Sequence, residues 1–159
     1  MEYADIDRVW DLMKKINICM LASWDGRELH ARPMGAYVRR EDNAVFFLTD
    51  ARRHKEDDIA HFAKVCLAFA DTGGQRYVSL SGPAQILSDR GKIRELWGTP
   101  ARAWWDSPDD PNIHVLKVTP EEAEYWEGPG KTVAYVKMAA AAMTGSRPDM
   151  GENRKVAMR

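Results

Sequence analysis

The stretch FFLTDARRHKEDD, residues 46–58, brings cations to the start of a predicted helix. The basic residues there are Arg52, Arg53, His54 and Lys55. The first turn of a helix carries partial positive charge and unpaired N–H groups, so cations are unfavourable there unless something compensates them. The acidic residues that follow offer i,i+4 partners, which would make a solvated charge cluster. The other explanation is a bound anion such as a phosphate, held by backbone amides and basic side chains together.

The stretch HARPMG, residues 30–35, offers a wall for a flat ligand. In a strand, Arg32 and Met34 share one face and Pro33 lies on the other. Because Pro33 cannot donate to a strand ladder, we predict an edge strand with neighbouring backbone groups free for a ligand. The alternative is a plain edge strand with an exposed arginine and a core methionine.

Trp104 and Trp105 are adjacent in a loop rich in Pro and Asp. Three interpretations are open for these rings. They can plug the core, they can fill a subunit interface, where Trp is enriched, or they can form a stacking wall beside a flat ring system.

Other chemistries have weaker support. His54, Asp58 and His61 are spaced i, i+4, i+7 along one helix face, but Lys55 beside them would repel a divalent cation, and we predict no metal site. The chain has no G-x-S-x-G motif for a serine nucleophile. Cys66 sits in an apolar strand, where a thiol is generally inert. No catalytic side chain is therefore predicted.

Composition predicts one ordinary globular domain over residues 1–159. Apolar residues make up 45% and charged residues 30% of the chain. The formal net charge of -1 gives no drive toward nucleic acid or anionic membranes. An anion site must therefore be local.

The cysteines and the hydrophobic pattern indicate a cytoplasmic protein. The two cysteines, Cys19 and Cys66, lie in apolar runs and suit a reducing compartment better than a disulfide framework. The first ten residues show neither a basic nor an apolar signal region, and no segment has the roughly 20 apolar residues of a membrane span.

Periodicity predicts about six antiparallel strands with short peripheral helices. An amphipathic helix is expected over about residues 4–16, and Asp25-Gly26 predicts a hairpin. Gly82-Pro83 predicts a bend in a strand, and Asp89 a helix cap. KTVAYVKM, residues 131–138, reads as a strand, followed by an alanine-rich helix near 138–143 and a polar tail over about 146–159.

Taken in order, the motifs resemble those of the pyridoxamine 5'-phosphate oxidase-like flavoproteins, in particular the general stress protein subfamily. The motifs are Arg32-Pro33-Met34, FFLTDARRHK, RYVSLSG, the tryptophan pair and TPEEAEYW. This resemblance implies a mainly β fold, an antiparallel split β-barrel with peripheral helices. It further implies a homodimer with FMN, or alternatively FAD, at the subunit interface.

The resemblance also implies the residues around the cofactor. In that family a strand ending in Thr, followed six residues later by Lys, supplies the phosphate site, and Thr49 and Lys55 have this spacing. One of the two tryptophans would reach the cofactor from the partner subunit. The full set placed against the cofactor is Arg32, Pro33, Met34, Phe47, Leu48, Thr49, Arg53, His54, Lys55, Tyr77, Trp104 and Trp105.

The implied activity is that of an FMN-dependent oxidoreductase, with NAD(P)H as a candidate electron donor. The alternative is a non-catalytic stress protein that binds or sequesters flavin, and a third option is a relative that uses deazaflavin or haem. True oxidases of this family end in a Trp and an Arg-rich segment that grip the substrate. The C-terminal GENRKVAMR departs from that pattern, so pyridoxamine phosphate oxidation is not expected.

Overall fold

The computed structural model describes residues 2–53, 55–61 and 63–159. Within these described ranges, nine strands join in one antiparallel sheet that curls around a core, with five α-helices at its periphery. The strands are β1 (Ile18–Trp24), β2 (Leu29–Gly35), β3 (Tyr37–Arg39), β4 (Ala44–Asp50), β5 (Lys64–Asp71), β6 (Arg76–Leu87), β7 (Ile113–Val118), β8 (Glu122–Glu127) and β9 (Glu152–Ala157). The helices are α1 (Glu2–Ile16), α2 (Lys55–His61), α3 (Arg90–Leu96), α4 (Thr99–Arg102) and α5 (Lys131–Thr144).

The sheet is continuous in the order β2-β1-β5-β6-β7-β4-β3, with β8 and β9 added beside β6. The Asp25-Gly26 hairpin, the edge position of the Pro33 strand and helix α1 are confirmed. The cap at Asp89 is also confirmed, since its carboxylate accepts a hydrogen bond from the backbone N–H of Lys92 at 3.0 Å. The predicted barrel class is therefore correct.

Strand β6 links the two halves of the sheet. Its first part pairs with β5 and β8, and its last part, from Ala84 to Leu87, pairs with β7. The change of partner occurs at the predicted Gly82-Pro83 bend. A Cβ on Gly82 would lie 1.9 Å from the carbonyl oxygen of Thr119, so only glycine lets the two backbones approach here.

Two hydrophobic clusters cover the two faces of β4. Val45 and Phe47 point into the main core, against which α1 packs, whereas Ala44 and Phe46 point into a second cluster with α3 and Trp105. This double burial explains the uninterrupted apolar run of β4, in which alternation is lost. The end of β4 is thereby fixed from both sides.

Two predictions for the C-terminal third were wrong, and so was the strand count, whereas the alanine-rich helix near 138–143 is confirmed. Residues 131–138 form the first part of helix α5 and not a strand, and the alanine-rich segment continues that helix. The polar tail contains strand β9, which pairs with β8 at the sheet edge. The described residues form nine strands where about six were predicted. The sequence pattern missed strands because β3 has only three residues, β8 is separate from β7, and β9 is polar.

Among the helices in the described part of the chain, none has the length and apolar character needed to cross a lipid bilayer.

We expect Gly82→Ala to destabilise the protein by ~3 kcal/mol, because the new methyl group would overlap a backbone carbonyl that cannot move aside cheaply. Urea denaturation measures the change. Gly98→Ala is the matched control, since the nearest atom to its Cβ lies at 3.9 Å and its backbone is extended, so its midpoint should stay near that of the wild type. A Gly82→Ala midpoint equal to that of the control would contradict the close approach.

Candidate functional site

The basic corner after β4 is partly neutralised from within the chain. The Arg52 side chain donates two hydrogen bonds to the carboxylate of Asp50, at 2.9 Å from Nε and 2.6 Å from Nη2. Its backbone N–H donates to the same carboxylate at 2.9 Å. The hydrogen bonds from Arg52 hold the pKa of Asp50 well below its usual range. The carboxylate that compensates Arg52 thus precedes it in the chain, whereas the i,i+4 partners considered from the sequence follow the basic run and concern Arg53 and His54.

Thr49 lies one residue before that pair and carries an unusual hydroxyl. The residue is 2% exposed, and among the described residues its Oγ1 has no hydrogen-bond partner. A buried polar atom without a partner costs about 1–3 kcal/mol. Such an atom is typically satisfied by something that the protein chain itself does not supply, such as water or a ligand.

A cavity of about 340 Å³ opens beside Thr49. Its walls combine the end of β2, the start of β3, the end of β4 with the turn that follows it, and the α4 region. The lining residues are Pro33, Met34, Gly35, Tyr37, Leu48, Thr49, Asp50, Arg52, Arg53, Pro100, Ala101, Trp104 and Trp105.

The two tryptophans follow the end of α4 and differ in exposure. The backbone N–H groups of Trp104 and Trp105 both donate to the carbonyl of Ala101, at 3.0 Å each. Trp104 is 70% exposed, whereas Trp105 is 9% exposed and packs in the second hydrophobic cluster. The indole Nε1 of Trp105 is the other buried side-chain atom that lacks a partner among the described residues.

Arg53 contacts the exposed tryptophan. Its guanidinium carbon lies 5.9 Å from the ring centroid of Trp104, a cation–π distance. Arg52 is paired with Asp50, and the charge of Arg53 also acts on that carboxylate, so two cations and one anion line this part of the cavity. The cavity therefore combines local positive charge, a stacking ring and apolar walls.

The structure brings together the predicted residues Pro33, Met34, Leu48, Thr49, Arg53, Trp104 and Trp105. Both tryptophans line this cavity, and the expectation that one of them reaches the cofactor from a partner subunit stays a prediction.

The other predicted residues lie elsewhere or are not described. Arg32 donates to the Oγ of buried Ser23 at 2.8 Å, and Phe47 is fully buried in the main core. Tyr77 stands on β6 opposite Trp126, away from this cavity. His54 lies outside the described residues, and so do the side chains of Lys55 and Asp58, so the metal alternative stays untested.

Sequence reasoning missed several residues of the lining. Tyr37 begins β3, and burial raises the pKa of its phenol, so the proton stays on its oxygen at neutral pH. Gly35 and Asp50 directly follow predicted site residues and could have been found by adjacency. Pro100 and Ala101 carried no signal, because only the tertiary fold brings α4 to the end of β4.

The half-barrel with a ligand-sized cavity at the ends of its strands defines the class of split-barrel proteins. The chain belongs to the family described as pyridoxamine 5'-phosphate oxidase like, whose model matches residues 4–149.

Two similar proteins carry the name general stress protein 26, which indicates one branch of the family. General stress protein 26 of Bacillus subtilis (strain 168) is 26% identical over 128 residues, which cover 79% of this chain and 90% of that protein. The crystal structure of a candidate general stress protein 26 from Jannaschia sp. CCS1 is 27% identical, with a TM-score of 0.77 and coverage of 97% and 98% of the two chains. The predicted resemblance is confirmed.

A second solved structure shares the fold. The general stress FMN/FAD binding protein of Xanthomonas citri has a TM-score of 0.68 and is 24% identical, covering 76% of this chain and 87% of its own.

Proposed function

We propose that this protein binds FMN in the cavity beside Thr49 and acts as a flavin-dependent oxidoreductase. The observation that carries the proposal is the buried, unpaired Thr49 hydroxyl in a cavity that is also lined by arginines and by an exposed indole. The name of the Xanthomonas citri protein, which includes FMN/FAD binding, supports the same class of ligand. FAD, which shares the flavin and its first phosphate, is the alternative ligand.

The charged part of the cavity suits the phosphate of FMN. A phosphate monoester carries nearly two negative charges and accepts several hydrogen bonds. Thr49 supplies a hydroxyl and Arg53 a guanidinium, and Lys55 joins them on the strength of its spacing from Thr49. Asp50 offsets Arg52, which limits the positive charge of the ligand-free site.

The apolar part suits the flavin ring. Pro33, Met34 and Leu48 present apolar surface, and the edge position of β2 leaves backbone groups on one side without a strand partner. Trp104, held at one side of the cavity beside Arg53, offers a face for stacking. The role of Arg32 near the ring stays a prediction.

When bound, FMN would supply the redox chemistry, and the protein would supply orientation and electrostatics. The protonated phenol of Tyr37 can donate a neutral hydrogen bond at physiological pH. Hydride transfer at a flavin needs no acid–base pair of side chains in principle. The second candidate is a stress protein that stores flavin without turnover.

The two candidates differ in turnover. For an oxidoreductase, we expect the FMN-loaded protein to be reduced by NADH or NADPH in a stopped-flow experiment and reoxidised by quinone or oxygen over repeated cycles. The storage protein would bind FMN without such cycling. A flavin that stays oxidised with both nucleotides and with a chemical library of hydride donors would contradict the catalytic proposal.

A stress-related role and a cytoplasmic location belong to the same proposal. The name of the Bacillus subtilis relative supports the first. The two free cysteines, of which Cys19 is buried and has a pKa raised to about 12 by burial, support the second.

We further propose a homodimer whose interface borders the cavity. On the outer face of β1 and β2, Ile18, Met20, Trp24 and Leu29 are exposed. In the strand register Met20 lies opposite Pro33 and Ile18 opposite Gly35, so this apolar face continues into the cavity lining. A twofold partner that covers the face would also close one side of the site.

Helix α5 provides further apolar surface for a partner. Val133, Tyr135, Val136 and Met143 are exposed on it, whereas Ala134 and Ala141 are its buried residues in the described part. A helix that is apolar around most of its circumference needs cover on more than one side. A second copy of the chain supplies a matching apolar surface in its β1–β2 face.

We expect Met20→Glu to shift the protein from dimer to monomer in sedimentation velocity, because the charge would be buried in the interface without a partner. FMN binding should weaken in parallel, since the face continues into the cavity. Tyr3→Glu is the control, because Tyr3 is 82% exposed on α1 and lies outside this face. A Met20→Glu protein that remains dimeric would contradict the assignment of the interface.

For FMN itself, we expect Lys55→Ala to weaken binding by about 1.5–3 kcal/mol and to leave riboflavin affinity nearly unchanged, because only FMN has the phosphate.

Thr49→Val should also weaken FMN binding. It should leave the ligand-free protein as stable as the wild type or up to about 1 kcal/mol more stable, since it removes a buried hydroxyl that has no partner among the described residues. Titration calorimetry and urea denaturation measure these changes.

Lys64→Ala is the control for charge, because Lys64 is an exposed cation paired with Glu121. Equal losses of FMN and riboflavin affinity in Lys55→Ala would argue against a phosphate site at this corner.

A further inference from the structure

The indole N–H of Trp105 is a buried donor that the chain leaves without an acceptor in its described part. Trp side chains that are buried usually find a partner for this group, and the indole N–H can donate but cannot accept. Its missing partner must therefore be an acceptor, such as a carbonyl oxygen or a ring nitrogen. Trp105 lines the cavity, so a ligand there can supply that atom.

The surroundings of Trp105 distinguish it from Thr49. Trp105 packs in the second hydrophobic cluster, whose partly buried members include Tyr37 and Leu48 of the cavity wall. The charged members of the lining, Asp50, Arg52 and Arg53, follow Thr49 in the chain. A phosphate is better matched by those cations than by an apolar wall, which leaves the indole N–H for a neutral acceptor.

Burial restricts the ring of Trp105, which is 9% exposed and packs in the second hydrophobic cluster. The backbone N–H of Trp105 donates to the carbonyl of Ala101, which is buried in the same cluster. A ring held in this way loses little freedom when a ligand arrives, so its hydrogen bond contributes to orientation at low entropic cost.

We propose that the Trp105 indole N–H donates a hydrogen bond to a neutral acceptor on the ring-bearing part of the ligand and so orients it. This inference rests on the proposed flavin site, and it assigns to Trp105 a role beyond packing or stacking. Trp105 is thus a positioning residue for the ring, whereas Thr49 and the basic corner select the phosphate.

The test uses the full-length protein labelled with ¹⁵N in its six tryptophans. The Trp105 indole resonance is identified by its absence in Trp105→Phe, and the wild type is then saturated with FMN or with riboflavin. A hydrogen bond from this N–H moves its proton resonance downfield and slows its exchange with solvent, and we expect both changes with either ligand. Trp97, which packs against the same cluster but does not line the cavity, should change little.

Affinity provides the second readout. Replacing Trp105 with benzothienylalanine keeps the bicyclic ring and removes only the N–H donor. We expect the affinities for FMN and riboflavin to fall alike, by about tenfold, which corresponds to one neutral hydrogen bond. Trp97→Phe is the control for a change in the same cluster and should leave both affinities unchanged.

The outcomes separate this inference from the flavin proposal. If the wild type binds FMN while the Trp105 resonance and the affinity of the isosteric variant stay unchanged, the inference is wrong and the flavin site stands. If the variant loses FMN affinity but not riboflavin affinity, the N–H meets the phosphate and the assignment to the ring is overturned. If the wild type binds neither ligand, the flavin site and the inference fail together.

Discussion

The pairing of β6 with two different sets of strands is the constraint on which the site depends. After Gly82-Pro83 the strand leaves β5 and β8 and pairs with β7 from Ala84 onward, and β7 in turn pairs with β4. These successive strand pairings hold the end of β4, and with it Thr49, at a fixed position between the two hydrophobic clusters. The helices α3 and α4 pack against the same region and bring Trp105 to the other side of the cavity.

The fold holds two polar groups of the site in place without giving them hydrogen-bond partners in the described structure. Folding normally pairs buried donors and acceptors, and here the Thr49 hydroxyl and the Trp105 N–H lack partners in the described structure while lining the same cavity. Asp50 pairs with Arg52 nearby, so the charge at the corner is partly balanced before any ligand binds. Stability lost to the unpaired groups is offset elsewhere in two well-packed clusters, and a ligand that supplies the missing atoms recovers it.

Much of the fold follows from local chemistry that is readable in the sequence. Asp25-Gly26 specifies a hairpin, Asp89 caps a helix, and Pro33 restricts its strand to an edge. Segment 131–138 was predicted as a strand because Val and Tyr favour strands in isolation. It forms a helix that is bounded by Gly130 and by Gly145, and Gly145 lies in the left-handed region. Strand β9 was hidden because it is polar and mostly exposed, as edge strands often are. The unpaired state of the Trp105 N–H could not be predicted at all, since it depends on every neighbour that tertiary packing brings to the ring.

The most direct test of the account is a crystal structure of the protein grown with saturating FMN. The account predicts flavin density in the cavity beside β4, with a ligand atom within about 3.2 Å of the Thr49 Oγ1, a hydrogen-bonding distance. Density for FMN at another place on the surface, with the Thr49 hydroxyl still lacking a ligand partner, would contradict the claim that this buried group exists to bind the cofactor.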